Sequence, residues 1–167
     1  MVTDPAAKLG APDLKREGLQ IWIHGRQFPD AADYWDGNWL RVTAHFGGNG
    51  ASVFATGSII HLSELDRWLV ESKELLKNLK GEAKLACMEP ALSIALKSGF
   101  LGHITMEVSI TPDHMNQRHW FQFGIDQSYL PPLVKQGAKR SWRHIRLKAA
   151  ITGKAAFLRR GGYKATA

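Results

Sequence analysis

The stretch Trp39-Leu40-Arg41-Val42-Thr43-Ala44-His45-Phe46-Gly47-Gly48-Asn49-Gly50 decides the reading of the fold. Trp39, Arg41, Thr43 and His45 alternate with Leu40, Val42, Ala44 and Phe46, the period of two that a half-buried strand requires. The glycine run is a turn, and Ala51 to Ile60 returns as a second strand whose apolar positions are Val53, Phe54, Ile59 and Ile60. Gly57 marks the place for a bulge in it. The run lacks the Lys-Ser/Thr of a phosphate-cradling loop, so it serves as a hairpin connection.

Upstream, Leu19, Ile21 and Ile23 alternate with Gln20, Trp22 and His24 as a strand ended by Gly25. On the other side the period changes to helical. Leu65, Trp68, Leu69, Ser72, Leu75, Leu76 and Leu79 fall three and four apart, with charged residues between them. Ser63 stands where an N-cap is expected, Lys77 and Lys80 suit the last turns, and Gly81 the terminator. Shorter strands are predicted at 83–88, 92–97, 103–110 and 119–125, punctuated by Glu89-Pro90, Ser98-Gly99 and Thr111-Pro112-Asp113. A second helix is predicted from about Asp126, with Pro131 and Pro132 tolerated in its first turn.

The expectation is an α+β domain: an antiparallel sheet of about six to seven strands, packed with one long amphipathic helix and a second C-terminal helix. The order of elements admits two similar halves, although no repeat at a fixed period is present. Residues 1–17 read as a flexible leader, 18–136 as the domain and 137–167 as a basic C-terminal extension.

Length and composition agree. The chain has 167 residues, 44% hydrophobic and 22% charged, which suits one compact domain with a buried core and excludes disorder throughout. No apolar run approaches the roughly 18–20 residues of a bilayer span, and Met1-Val2-Thr3-Asp4-Pro5 lacks the pattern of a signal peptide, so a cytoplasmic protein is expected. Cys87 stands alone, without a disulfide partner in the chain. It reads as a small core residue, with nothing near it in sequence to lower its pKa.

The net charge of +7 is segregated. From Lys135 onward there are ten basic residues and no acidic one, whereas residues 1–134 carry twelve basic against fifteen acidic. The body is therefore mildly acidic. In the basic segment, Lys139, Arg140, Arg143 and Arg146 are interleaved with Trp142, Ile145 and Leu147, which suits nucleic acid or an anionic surface; a solvated extension gives the same composition.

Phe28-Pro29-Asp30-Ala31-Ala32-Asp33-Tyr34-Trp35-Asp36-Gly37-Asn38-Trp39 places three carboxylates and four aromatics in twelve residues. Asp30, Asp33 and Asp36 do not fit the alternating spacing of a calcium loop. Two roles suit the stretch. The aromatics fill one end of the core while Asp36-Gly37-Asn38 turns into the next strand, or Asp30, Asp33, Tyr34, Trp35 and Asp36 form a recognition surface. The two can coexist. No two of the seven histidines stand at the spacing of a zinc-binding helix, and no nucleophile, base or metal set assembles. No catalytic role, metal or cofactor is expected.

In the segment Arg26 to Leu40, which contains Asp33-Tyr34-Trp35-Asp36-Gly37-Asn38-Trp39, the chain resembles the WapI family of small bacterial immunity proteins, which neutralise polymorphic toxins. The likeness continues through Leu62-Ser63-Glu64-Leu65, Met88-Glu89-Pro90, Gly102-His103-Ile104, Phe121-Gln122-Phe123 and Asp126-Gln127-Ser128-Tyr129-Leu130-Pro131, over about residues 19–136. It implies an α+β binding protein of the bacterial cytoplasm whose partner is a cognate toxin, with no catalytic residues to carry over. Similar proteins finish on an apolar-periodic helix. Here Gly137-Ala138-Lys139-Arg140 opens the acid-free stretch instead, the pattern expected of an altered reading frame or a fused segment. The competing expectation is a nucleic-acid- or ribosome-associated protein that uses the basic segment.

Overall fold

A computed structural model describes residues 5–137; Lys139, Arg140, Arg143 and Arg146 lie outside the described residues. Among the described residues eight strands and two α-helices follow one another: β1 (Leu14–Arg16), β2 (Leu19–Arg26), β3 (Trp39–Gly48), β4 (Ala51–His61), α1 (Leu62–Asn78), β5 (Glu82–Ala86), β6 (Leu92–Ser98), β7 (His103–Ile110), β8 (Trp120–Asp126) and α2 (Leu130–Gly137). The fold is α+β, but the single sheet of six to seven strands is replaced by two four-stranded antiparallel meanders, β1-β2-β3-β4 and β5-β6-β7-β8. Each meander is followed by a helix.

The reason for the division lies at the edge of β5. Helix α1 runs beside it, and its Glu71 Oε2 accepts a hydrogen bond from Lys84 N at 2.8 Å. Just past β5, Glu64 Oε1 accepts from Met88 N at 2.7 Å. An edge whose amide is taken by a helix cannot continue the first sheet. The additional strand, β1, is too short to show a period. Of the stretch read as a leader, Pro5–Leu9 forms a 3-10 helix, Leu14 is fully buried, and Gly10 O accepts from Trp22 Nε1 at 3.0 Å.

The hairpin that decides the fold is present, with Ala44 opposite Ala55 and Val42 opposite Gly57. The bulge of β4 falls two residues beyond Gly57: Leu40 faces Ile60 and Arg41 faces Ser58, which leaves Ile59 as the extra residue. One apolar core joins both sheets and both helices, from Leu19, Ile21, Leu40 and Val42 to Ile94, Met106, Val108 and Leu133, with Trp68 of α1 fully buried in it. The Phe46 ring stacks on Phe121 at 3.8 Å and so brings β3 against β8.

Helix α1 departs from expectation at both ends. Its N-cap is His61 rather than Ser63: the ring Nδ1 lies 2.7 Å from Ser63 Oγ, and Glu64 Oε2 accepts from His61 N at 2.8 Å. At the other end Leu79, with φ of 52°, closes the helix ahead of Gly81. A left-handed leucine is costly by ~1–2 kcal/mol. Two bonds hold it there, Leu79 N to Leu75 O at 2.8 Å and Ser98 Oγ to Leu79 O at 2.6 Å. Pro131 and Pro132 do fall in the first turn of α2.

Candidate functional site

The connection from β2 to β3 is the aromatic and acidic stretch, and its shape is built from its own polar groups. Gln27 N donates to Trp39 O at 2.8 Å and closes the base of the loop. Asp33 Oδ1 accepts from Trp35 N at 2.9 Å and from Asp36 N at 2.8 Å, an Asx turn that leads into the 3-10 turn Asp36–Asn38. Asn38, buried, donates from Nδ2 to Tyr34 O at 2.7 Å, and Arg26 Nη1 donates to Gly37 O. Burial lowers the Arg26 pKa from its ordinary value. Gly37 sits close to the facing backbone: a Cβ there would stand 3.0 Å from Ala31 O, a tight contact that Ala31 would have to yield to.

This scaffold sets the aromatic side chains around one histidine. The ring centroids of Tyr34, Trp35 and Trp39 lie 5.5, 5.4 and 5.4 Å from that of His61, which is fully buried at the start of α1. Trp35 also meets Tyr34 edge-on at 5.4 Å. The outer surfaces of the two rings stay in solvent: Tyr34 is 58% and Trp35 60% exposed. They therefore do not fill the core. Trp39, half-buried, comes nearer to that role.

Asp30, Asp33 and Asp36 are all exposed, yet they are not equivalent. Asp33 is occupied in building the turn; Asp30 and Asp36 leave their carboxylates to solvent. Met88, also exposed, is held at the same end of α1 through Glu64, with Glu89 next to it. The sequence reading placed Asp30, Asp33, Tyr34, Trp35 and Asp36 together in this loop and missed His61 and Met88. The available signal for His61 was its position before Leu62-Ser63-Glu64, where Glu at the third helical position completes a capping box.

Outside the loop, polar side chains of the described residues pair within the sheets. His24 Nε2 lies 2.8 Å from Thr43 Oγ1, which lies 3.0 Å from Thr56 Oγ1. His45 stacks on Phe54 at 3.9 Å. Cys87 packs against the core, and burial, with the Glu64 charge second, pushes its thiol pKa up, away from nucleophilic reactivity. Among the described residues no group of three or more His, Cys, Asp or Glu side chains converges as metal ligands, and no helix is long and apolar enough to cross a membrane.

Fold and loop together define an α+β domain that presents a stiffened aromatic and acidic surface. The chain belongs to the WapI-like immunity protein family, whose family model matches residues 11–139. The match begins ahead of Leu19 and so takes in β1. No curated protein and no solved structure matches the chain.

Proposed function

We propose that the chain is an immunity protein that binds a cognate bacterial toxin domain and neutralises it in the cytoplasm, using the β2–β3 loop as the centre of its interface. The observation that carries this reading is the exposure of Trp35 and Tyr34 on a loop held by its own hydrogen bonds and a buried histidine. Large aromatic area kept in water is costly, and a rigid loop loses little entropy on binding, so the arrangement suits an interface anchor. Asp30 and Asp36 add negative charge beside the rings, which suits a partner with a basic surface. Family membership supports the toxin as partner.

The experiment is co-expression with the toxin domain encoded beside this chain, scored by survival of the cells. The intact chain should protect them. Trp35→Ala combined with Asp36→Lys should abolish protection while the purified variant keeps its thermal transition. Survival with that double variant at the level of the intact chain would place the interface elsewhere, and death with the intact chain would contradict immunity against that toxin.

A further inference from the structure

The outer strands of the two sheets are not treated alike. Strand β1 lies beside α2, whose Gln136 Oε1 accepts from Lys15 N at 3.2 Å. Strand β5 lies beside α1 and gives its Lys84 N to Glu71. Strand β4 carries the extra residue Ile59. These are recognised ways of keeping a sheet edge from pairing with another chain. Strand β8, Trp120-Phe121-Gln122-Phe123-Gly124-Ile125-Asp126, has none of them: its only charge is at its end, and among the described hydrogen bonds no side chain reaches its outward amides before Asp126. Trp120 at its start is 59% exposed.

Register decides which backbone groups β8 leaves free. Ile110 N donates to His119 O at 3.1 Å, and Ile104 faces Ile125, so the odd-numbered residues turn their amides and carbonyls toward β7. Trp120, Gln122 and Gly124 therefore direct theirs away from the sheet. Their side-chain positions also share one face, the one opposite Phe121, Phe123 and Ile125.

We propose that this edge pairs with a second copy of the chain, β8 running antiparallel to the same strand of the partner about a two-fold axis at Gln122. In that register the free groups meet: Gln122 faces Gln122 of the partner subunit, and Trp120 faces Gly124 of the partner subunit, each pair exchanging two hydrogen bonds. Side chains match as well. A Cβ at Gly124 would meet nothing within 4 Å, so the open space over Gly124 receives the indole of the partner's Trp120, the pairing that compensates an edge glycine. Phe121 faces the partner's Phe123. Arg118, exposed just before β8, faces the partner's Asp126, and the symmetry makes this charge pair twice. The self-complementarity of charge and volume in one register is what selects a second copy over an unrelated strand.

The test is sedimentation velocity of the full-length chain over a concentration series. The chain should shift from monomer to dimer as concentration rises. Gln122→Lys sets like charges against each other at the axis and should leave a monomer at every concentration, with an unchanged thermal transition because Gln122 is exposed and, among the described residues, its side chain makes no hydrogen bond. Arg118→Glu should weaken the dimer, and Arg118→Glu with Asp126→Lys should restore it. A wild-type chain that stays monomeric, or a dimer indifferent to Gln122→Lys, overturns the proposal. So does a monomer in which Gln122→Lys instead abolishes toxin binding, which would assign the edge to a strand of the toxin.

Discussion

The Trp35 indole rests 5.4 Å from the His61 imidazole at an interplanar angle of 42°, so the exposed face of the loop is carried by the buried cap of α1. This division of labour predicts a graded response to tryptophan removal. Trp68→Ala, which empties a fully buried site, should cost ~3–5 kcal/mol in urea denaturation. Trp35→Ala should cost less than ~1 kcal/mol, because most of the ring is already in water. Trp39→Ala should fall between them. Equal losses at Trp35 and Trp68 would mean that the loop aromatics belong to the core.

Glu64 gives a second prediction. It is buried and accepts from two backbone amides, His61 N and Met88 N. Glu64→Ala orphans both, at ~1–3 kcal/mol for each unsatisfied donor. The loss should appear in chemical denaturation together with faster hydrogen exchange at His61 and Met88. Unchanged exchange at Met88 would show that this amide has another acceptor.

The outline of the fold was legible where a period ran long enough. Strand β7 matches its expected span, β2, β3, β4, β6 and β8 differ by one or two residues, and α1 was evident from its leucines. Strand β1 was hidden because three residues carry no period. The split into two sheets was hidden because it depends on Glu71 meeting the backbone of β5, a contact between residues thirteen apart that no local pattern announces. The site was half legible. Tyr34, Trp35 and the three aspartates stand out by composition, whereas the turn-building role of Asp33 and the place of His61 beneath the rings arise only when the loop folds back over α1.

Asp113 sets a pH dependence. The Asn116 side chain, 2.8 Å from its Oδ2, and Met115 N, 3.1 Å from its Oδ1, hold its pKa below the ordinary 3.8. Since the folded value is the lower one, the stabilisation is present above about pH 4 and is lost as pH falls through the folded value. Asp113→Ala should remove that component. Thermal midpoints of the variant and the wild-type chain should therefore differ at neutral pH and converge in acid. A difference that persists unchanged into acid would assign the effect to something other than this carboxylate.

The two kinds of aspartate in the loop should separate in binding kinetics. Asp30→Lys and Asp36→Lys should slow association with the toxin and flatten its salt dependence, with stability unchanged, because their carboxylates face solvent. Asp33→Ala should act through loop geometry instead, raising the dissociation rate, since Trp35 N and Asp36 N lose their acceptor. Stopped-flow association at several ionic strengths distinguishes them. Identical kinetic changes in all three variants would contradict the structural role of Asp33.

The proposed role is neutralisation by binding. Its most direct test is titration of the purified full-length chain into the purified toxin domain encoded beside it, with the toxin's own activity as the readout. Activity should fall linearly and be extinguished near equimolar chain, and Trp35→Ala should shift the curve to higher concentration. Toxin activity undiminished by excess chain would contradict it.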